Sequence, residues 1–350
     1  MINAMSAPDE LRDDVLRRCQ AAIPSWRRLA PADFEFDDPK GFSSFTIGVR
    51  ARRPLEPAAV LYRQLAGKTN AILDFDTERA VFLLLGEADI AARCLHYDRT
   101  CRIEAFYRGR TLTAEDVFDP QLQRGIANEL YRLHRLTPAG LPDRTFFELL
   151  TERWGELARS VLSAARSAFP GDEQQMCADL EAITSRDTVA KVLRCLPDGA
   201  PVFCHNDTYH GNVFLLDDGS VKLLDFEFSC LNHVAFDFAN LFAETVMEHG
   251  LADPPHFRIG QPRFTDEHLR TFIGFYLDNV EFEGQSERET ALSRLLAETR
   301  RALLLSDYMY AMAALPLALE PIQRIRFIPY AHQRFHRFLD RWDAEFGQPQ

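Results

Sequence analysis

A short stretch in the second half of the chain combines hairpin turn chemistry with polar residues at close intervals. Apolar runs predict three strands there, at 202–204, 213–216 and 221–224, and the last two are joined by Asp217-Asp218-Gly219-Ser220. If this four-residue loop closes the pair Leu216 and Val221, the register places Asn212 opposite Asp225. Directly opposed side chains share one face of a hairpin, with Cβ atoms about 5 Å apart.

The polar residues of this hairpin have the chemistry of a cation site. An amide oxygen and a carboxylate at that distance can bind one hard cation, and Mg²⁺ prefers oxygen ligands. Asp207 lies five residues before Asn212, so it can approach the same cation or take a proton beside it. A bulge would shift the register and break the pairing of Asn212 with Asp225. Ordinary polar loop residues are the plainer interpretation, but they do not account for the full string His-x-Asp-x-x-x-x-Asn followed by Asp-Phe-Glu.

The string resembles the catalytic loop and metal-binding segment of kinase-like small-molecule phosphotransferases of the aminoglycoside-phosphotransferase type. It is most similar to the choline/ethanolamine kinase family, which reads HND, then DFE or DYE, then N…(F/Y)D…N…E at this spacing. The residues that carry the resemblance are His205-Asn206-Asp207, Asp225-Phe226-Glu227, Asn232, Phe236-Asp237, Asn240 and Glu244. The likeness is strong over residues 200–245 and weaker, but colinear, over 40–340.

The resemblance implies an α+β, two-lobed protein-kinase-like fold, and a length of 350 residues also favours more than one core. An N-terminal nucleotide-binding lobe, residues 1–108, would be an antiparallel β-sheet with a buried helix. A larger, mostly helical lobe, residues 109–350, would carry catalysis and acceptor binding. Apolar patterns predict further strands at 34–36, 46–50, 58–65, 93–97 and 101–106, and helices at 9–23, 77–86, 120–136, 145–167, 172–196, 238–246, 266–277, 288–319 and 321–346.

The composition of the chain limits the kinds of molecule that it is expected to bind. A net charge of −12 argues against nucleic acid and an anionic membrane surface, and it suits a small cationic hydroxyl substrate. The sequence has no signal-peptide pattern and no apolar run of about 18 residues, so we expect a cytoplasmic protein without membrane insertion. Seven cysteines without a Cys-x-x-Cys pair are expected to be reduced thiols. A homodimer is compatible with the resemblance.

A cation in the first lobe is expected to neutralise phosphate charge. Arg63 lies in an apolar strand with Leu61 and Leu65 on its own face, and a charge that points toward a core needs a partner. The choline/ethanolamine kinases are similar in using Arg where protein kinases have Lys, and Glu78 matches the acidic partner on the following helix. An exposed edge-strand arginine and an ordinary first-turn glutamate are the alternatives. Lys68, in a turn, is a substitute cation.

Two more segments of the first lobe match nucleotide-binding parts of the family. Ser43 and Ser44 match the loop that lays backbone N–H groups over phosphates, although a bare turn has the same composition. Glu104 and Phe106 match the hinge, where backbone groups would bind the adenine edge. The implied cofactors are therefore ATP and Mg²⁺.

The resemblance implies distinct roles within the catalytic stretch. Asp207 would orient the acceptor hydroxyl and accept its proton, while Asn212 and Asp225 would hold Mg²⁺. Glu227 would bind a second Mg²⁺ or support the loop. Structural roles are expected for three residues: His205, Asn232 and Asp237, the last as a helix N-cap or as a brace for the loop.

The acceptor site is expected to depart from the family pattern. In the family, a segment reading roughly S-H-F-x-W-G-L-W supplies aromatic walls that hold a quaternary ammonium by cation–π attraction. The matching stretch, 306–313, has Tyr310 for one Trp and Ala313 for the other, and Tyr330 is kept downstream. Glu244 is expected to reach a cationic substrate. The reduced cage favours a smaller amine such as ethanolamine over choline, or a substrate outside that pair. Plain helix packing is the alternative for Tyr308, Met309 and Met312.

The predicted reaction moves the γ-phosphoryl group of ATP to the hydroxyl of a small amino alcohol. Two alternatives stay open. One is phosphorylation of another small hydroxyl compound, such as an aminoglycoside, homoserine or thiamine. The other is an inactive nucleotide-binding module, against which the intact Asp207, Asn212 and Asp225 argue.

Overall fold

The computed structural model describes residues 9–38, 45–65, 72–169, 171–197, 199–319 and 325–347. The chain forms two compact units, residues 1–109 and residues 110–350. Ser43, Ser44 and Lys68, the candidates for the phosphate loop and the substitute cation, lie outside the described residues. Among the helices in the described ranges, none is apolar over a length that would cross a bilayer.

An antiparallel five-stranded sheet forms the centre of the first unit. The strands of this sheet are β1 Phe34–Phe36, β2 Phe45–Ala51, β3 Ala59–Gln64, β4 Cys94–Tyr97 and β5 Cys101–Ala105. The first unit also contains the helices α1 Asp9–Ala22 and α2 Phe75–Glu87. The strand order is β1-β2-β3-β5-β4, so β2, β3 and β5 are interior strands. The observed strands differ from the predicted ones by at most one residue at each end.

Helix α1 packs its apolar side on this sheet. The helix buries Val15, Leu16 and Cys19, which share one face because they follow helical spacing. The strands supply alternate residues to the same core: Phe34, Ile47, Val49, Val60, Tyr62, Cys101 and Ile103. Burying each large aliphatic side chain contributes about 1.5–3 kcal/mol, so this cluster stabilises the first unit.

Helix α2 begins earlier than the sequence predicts because Asp74 caps it. The Asp74 carboxylate accepts hydrogen bonds from the backbone nitrogens of Asp76 and Thr77, at 3.1 and 3.0 Å. These bonds satisfy two N–H groups of the first turn that have no partner within the helix. The helix buries Val81 and Phe82.

The second unit is mostly helical. Its helices are α3 Pro120–His134, α4 Phe146–Leu149, α5 Gly155–Ala168, α6 Asp172–Leu180, α7 Arg186–Arg194, α8 Val234–Ala243, α9 Asp266–Leu277, α10 Gln285–Ala314 and α11 Phe327–Phe346. The prediction for α9 is correct at both ends. Helix α10 begins three residues before its predicted start and ends five residues before its predicted end, and α11 begins six residues after its predicted start.

Two of the predicted helices are interrupted. A π-helical turn, Leu150–Trp154, separates α4 from α5. The single helix predicted over 172–196 is wrong, because a 3₁₀ turn at Glu181–Thr184 divides it. The Ser185 hydroxyl then accepts a hydrogen bond from the Thr188 nitrogen at 3.1 Å and starts α7 as a new N-cap.

Short strands bring the polar stretch together in the second unit. They are β6 Gly109–Thr111, β7 Val202–Cys204, β8 Val213–Leu216, β9 Val221–Leu223, β10 Cys230–Asn232, β11 Met247–His249 and β12 Phe257–Ile259. Strand β7 pairs with β10, and β8 lies between β6 and β9. Helix α3 packs directly on the hairpin, since a Cβ on Gly125 would come within 2.8 Å of the Val221 side chain.

The hairpin register differs by one residue from the prediction. Val213 pairs with Leu223, and the Leu216 nitrogen donates to the Ser220 carbonyl at 2.8 Å, so the loop has three residues instead of four. Gly219, at φ +87°, makes this shorter loop possible because glycine adopts left-handed backbone freely. Asn212 therefore faces Leu224, whose nitrogen bonds the Asn212 carbonyl at 2.8 Å, and the predicted opposition of Asn212 and Asp225 is wrong.

Candidate active site

The loop after β7 is fixed by one buried carboxylate. Asp237 accepts hydrogen bonds from the backbone nitrogens of His205 and Asn206, each at 2.8 Å. Asn206 has a φ of +65°, which turns the chain sharply before Asp207. Asp237 lies inside α8, whose N-cap is His233, so the N-cap role considered for Asp237 is wrong.

Asp237 is ionised although it is fully buried. The ring of His134 lies between Asp237 and Tyr276, with its nitrogens 3.0 Å from each partner. Burial opposes ionisation, but the hydrogen bonds that Asp237 accepts from His134 and from the His205 backbone outweigh it and hold the pKa of Asp237 below its usual range. The charged form therefore holds the loop in place.

Two further predicted structural residues hold the same loop. The His205 ring donates from Nε2 to the Leu224 carbonyl at 2.8 Å and accepts from the Asp207 nitrogen at its Nδ1, at 3.2 Å. Burial lowers the pKa of His205, which suits this neutral tautomer. Asn232 donates from Nδ2 to the side-chain oxygen of Asn206 at 2.7 Å.

Both carboxylate oxygens of Asp207 are in use. The Tyr310 hydroxyl donates to Oδ1 at 2.6 Å, and Nδ2 of Asn212 donates to Oδ2 at 2.7 Å. The same Asn212 nitrogen lies 3.0 Å from the Asp207 carbonyl. Asp207 is 9% exposed, so its carboxylate is largely shielded from solvent and has a defined orientation.

Negative charge accumulates around Asp207. Burial is the largest cause that raises the pKa of Asp207, and the charges of Asp225, Glu227 and Glu244 raise it further, while the Tyr310 hydrogen bond lowers it. Asp225 has a φ of +61°, an uncommon backbone conformation for a residue other than glycine. Strained backbone of this kind is concentrated at functional sites.

The donor set suits a divalent cation. Asn212 commits its amide nitrogen to Asp207, so its amide oxygen is the atom that can turn to a metal. Asp225 and Glu227 are half-buried carboxylates close enough to raise the pKa of Asp207. Oxygen ligands with excess negative charge are what Mg²⁺ binds, and a cation here would relieve the repulsion among these carboxylates.

Glu244 pairs with a cation of the chain itself. Arg334 donates from Nη2 to both oxygens of Glu244, at 2.8 and 2.7 Å, and from Nη1 to Asp307 at 2.9 Å. Arg334 and Glu244 are 1% and 3% exposed. Glu244 was expected to contact a cationic substrate, but its carboxylate is already neutralised by Arg334.

Arg334 also lies against both aromatic residues predicted for the acceptor site. Its guanidinium carbon is 5.1 Å from the Tyr310 ring centroid and 5.3 Å from that of Tyr330. Its Nε donates to the Tyr330 hydroxyl at 3.2 Å. Sequence analysis missed this residue, although it stands in the Tyr-Ala-x-x-Arg-Phe string of 330–335. A signal was available, because Arg334 follows Tyr330 by one helical turn and therefore shares its face.

The predicted nucleotide residues of the first unit form two groups. Arg63 lies 3.9 Å from Glu104, which also accepts a hydrogen bond from buried Arg102 at 2.6 Å. Glu78 accepts a hydrogen bond from the Tyr97 hydroxyl at 3.2 Å. Glu104 is thus an acidic partner of Arg63 that the sequence assigned to another role.

The predicted role of Glu104 in the hinge also needs correction. Glu104 lies inside β5, with Leu61 of β3 on one side and Cys94 of β4 on the other. Backbone groups within a central strand bond the neighbouring strands, which removes Glu104 as an adenine ligand. Phe106 follows the end of β5, so its backbone has left the ladder.

Comparison with known proteins identifies the family. The profile described as Choline/ethanolamine kinase matches residues 40–339. The chain belongs to the choline/ethanolamine kinase family. It is a small-molecule kinase that transfers phosphate to an alcohol, and membership of this family implies ATP as the phosphate donor. Among curated relatives, the choline/ethanolamine kinase of Rattus norvegicus is 26% identical over 336 residues, which span 91% of this chain and 82% of the relative.

Solved structures of other family members have the same fold. A choline kinase from Cryptosporidium parvum Iowa II aligns with a TM-score of 0.76 at 19% identity, covering 96% of this chain and 97% of that one. An ethanolamine kinase from Plasmodium vivax aligns with a TM-score of 0.72 at 19% identity, covering 97% of both chains. The predicted α+β kinase-like fold is therefore confirmed.

Proposed function

We propose that this member of the choline/ethanolamine kinase family phosphorylates the hydroxyl group of a small amino alcohol, and prefers ethanolamine to choline. The arrangement at Asp207 supports the proposal most directly. Its carboxylate is held by Asn212 and is surrounded by the negative charge of Asp225 and Glu227. Such a site attracts both a divalent cation and an ammonium group.

Asp207 is the base in the proposed reaction. Its Oδ1 accepts a hydrogen bond from a hydroxyl, that of Tyr310, at 2.6 Å, and an acceptor hydroxyl would bind the carboxylate in the same way. Asp207 would orient this hydroxyl and take its proton as the phosphoryl group is transferred. The transition state is loose, so positioning matters more than a strong base.

Asn212 and Asp225 would hold Mg²⁺, with Glu227 as a further ligand or as a support for the loop. When bound, the ion neutralises charge on the phosphates. Asp237 and His205 keep the loop rigid, so that Asp207 stays oriented whether or not the ion is present. In the first unit, we propose that Arg63, held by Glu104, neutralises phosphate charge. Backbone groups of Phe106 would bind the adenine base of ATP.

The preference for ethanolamine follows from Arg334. A quaternary ammonium binds through aromatic faces because it cannot donate hydrogen bonds. Here the guanidinium of Arg334 already lies against Tyr310 and Tyr330. A primary ammonium can donate to carboxylates instead, and the cluster around Asp207 supplies them.

An acceptor screen tests this proposal. ADP release is measured with ATP and Mg²⁺ for ethanolamine, choline, an aminoglycoside, homoserine and thiamine. We expect ethanolamine to have the highest kcat/KM, about tenfold above choline, a difference within the range of a desolvated cation–π contact. A higher value for choline would contradict the preference. Turnover only with one of the other three compounds would assign a different acceptor.

A variant of Asp207 tests the base. Asp207→Asn is expected to lower kcat by about 10²–10⁴-fold, the usual contribution of general-base catalysis. ATP binding, measured by calorimetry, is expected to persist because Asp207 is assigned to the acceptor. Turnover close to wild type would remove Asp207 from its assigned role. The exposed Asp340→Asn is the matched control.

A further inference from the structure

A second group of possible metal ligands lies on the surface of the second unit, between α6 and α11. It consists of Asp179, His332 and His336. The two histidines are four residues apart on α11, so they share one face of that helix. Asp179 reaches them from α6, and Nε2 of His332 lies 3.1 Å from its Oδ2.

The three side chains are arranged as ligands of one ion. The His332 and His336 rings have centroids 4.2 Å apart, and one ligand atom from each of the three residues lies within 4.8 Å of the other two. Histidine pairs at this helical spacing bind zinc in helical metal sites, and a carboxylate completes such sets. His336 is exposed and His332 is 23% exposed, so an ion can enter from solvent.

A fourth residue orients the carboxylate. Gln175, one helical turn before Asp179, donates from Nε2 to Oδ1 at 2.9 Å. This bond occupies Oδ1 and leaves Oδ2 directed toward the histidines. Outer hydrogen bonds of this kind fix the direction of metal-binding carboxylates and strengthen metal binding by about 10–100-fold.

Two other groups of potential metal ligands already have structural roles, and these roles exclude them as metal-binding sites. His134, Cys204 and Asp237 are fully buried, and Asp237 is occupied by the catalytic loop. In the group of His96, Asp98 and Cys101, Oδ1 of Asp98 accepts two backbone hydrogen bonds and forms the turn.

We propose that Asp179, His332 and His336 form a binding site for a transition-metal ion of the Zn²⁺ class. Two imidazole nitrogens and one carboxylate oxygen favour Zn²⁺, Co²⁺, Ni²⁺ or Cu²⁺ over Mg²⁺, which requires oxygen ligands. Water completes the coordination shell. The site clamps α6 to α11, the helix that carries Arg334, and it is separate in sequence and chemistry from the oxygen ligands of the catalytic stretch.

Cobalt spectroscopy tests the site on the full-length protein. Co²⁺ is added to metal-free protein, and the visible absorption of the bound ion is followed, with Zn²⁺ competition as a second measurement. We expect one ion to bind per chain, and His336→Ala and His332→Ala to reduce affinity by about 100-fold or more. Gln175→Ala is expected to reduce it by about 10–100-fold. Gln333→Ala, on the same helix, is the matched control and is expected to bind as wild type.

The site is distinguished from catalytic metal binding with a second background. Asp225→Asn is expected to retain Co²⁺ binding, since Asp225 is not one of the three ligands. In thermal unfolding, saturating Zn²⁺ is expected to raise Tm by about 2 °C or more in wild type and not in His336→Ala. Absence of binding at millimolar metal would overturn the proposal. Binding in the Asp225→Asn background that survives both histidine substitutions would do the same.

Discussion

The hydroxyl of Tyr310 donates a hydrogen bond to Oδ1 of Asp207 across 2.6 Å and 103 positions of sequence. The resemblance assigns Tyr310 to the wall of the acceptor site and Asp207 to the base, and the structure joins the two. The contact requires the phenol hydroxyl of Tyr310, which the tryptophan expected from the family pattern would lack. It couples the residue that would select the acceptor to the residue that would activate it.

Removing this hydroxyl is expected to change the pH profile. The Tyr310 hydrogen bond lowers the pKa of Asp207, whereas burial and neighbouring carboxylates raise it. In Tyr310→Phe the pKa of Asp207 rises further. The proposed base would work ionised, so the acid limb of kcat/KM is expected to move to higher pH by about one unit, which corresponds to one hydrogen bond to a charged group.

The control for this variant is Tyr308→Phe. The Tyr308 hydroxyl donates to the Ile183 carbonyl, so its loss is expected to leave the acid limb unchanged. The ring of Tyr310 is kept in Tyr310→Phe, so contact with Arg334 persists. An acid limb identical to wild type in Tyr310→Phe would show that the hydroxyl does not act on the base.

Truncation of Arg334 is expected to destabilise the second unit strongly. Arg334→Met leaves the buried carboxylates of Glu244 and Asp307 without their shared cation. Breaking a buried ion pair in this way costs about 3–5 kcal/mol. The free energy of unfolding, from urea titration, measures the loss.

The double variant Arg334→Met/Glu244→Gln is expected to recover part of that loss. It removes the charge of Glu244, whose ion pair with Arg334 is lost, while Asp307 keeps Arg337 and Arg341 as partners. Arg300→Met is the control, since its pair with Asp266 is exposed and such pairs contribute at most about 1 kcal/mol. Equal losses for Arg334→Met and Arg300→Met would refute the buried network.

Asp237→Asn is expected to disorganise the catalytic loop. The amide has one acceptor oxygen, whereas the Asp237 carboxylate receives hydrogen bonds from His205, Asn206 and His134. At least one buried donor loses its partner, at about 1–3 kcal/mol per group. Unfolding free energy and kcat are both expected to fall.

The pH dependence of stability supplies a second measurement for Asp237. Its pKa is lower in the folded state than the value of 3.8 for an unperturbed group. The stabilisation is therefore fully present above 3.8 and is lost as pH falls through the folded pKa. This acid-dependent component is expected to be absent in Asp237→Asn. An unchanged acid limb of stability would contradict the assigned charge state.

The conformation of the hairpin loop predicts that substitution by alanine has a different effect on stability at two glycines. Gly219 has a φ of +87°, and nothing lies within 4 Å of a Cβ placed there. Gly219→Ala is therefore expected to cost about 1 kcal/mol through backbone strain alone, with kcat unchanged. Gly284→Ala, where the surroundings are equally open and φ is −175°, is expected to change stability little. Similar effects of both substitutions would argue against the three-residue loop.

The sequence by itself determined most elements and the family to which the chain belongs. Periodicity predicts the strands of the first unit closely because alternation of buried side chains is a local property. The strings around Asp207 and Asp225 indicated the family because their spacing is rare. Helix ends and interruptions were less predictable, since a cap such as Asp74 or Ser185 competes with continuation of an adjacent helix.

Only the tertiary structure decided which charges meet. Glu244 pairs with Arg334 across 90 positions, and apolar periodicity does not specify which cation reaches a buried carboxylate. The hairpin register depended on whether one glycine takes left-handed backbone, which its letter permits but does not require. Ion pairs and registers of this kind depend on which helices and strands pack together, so the residue pattern of a single segment cannot supply them.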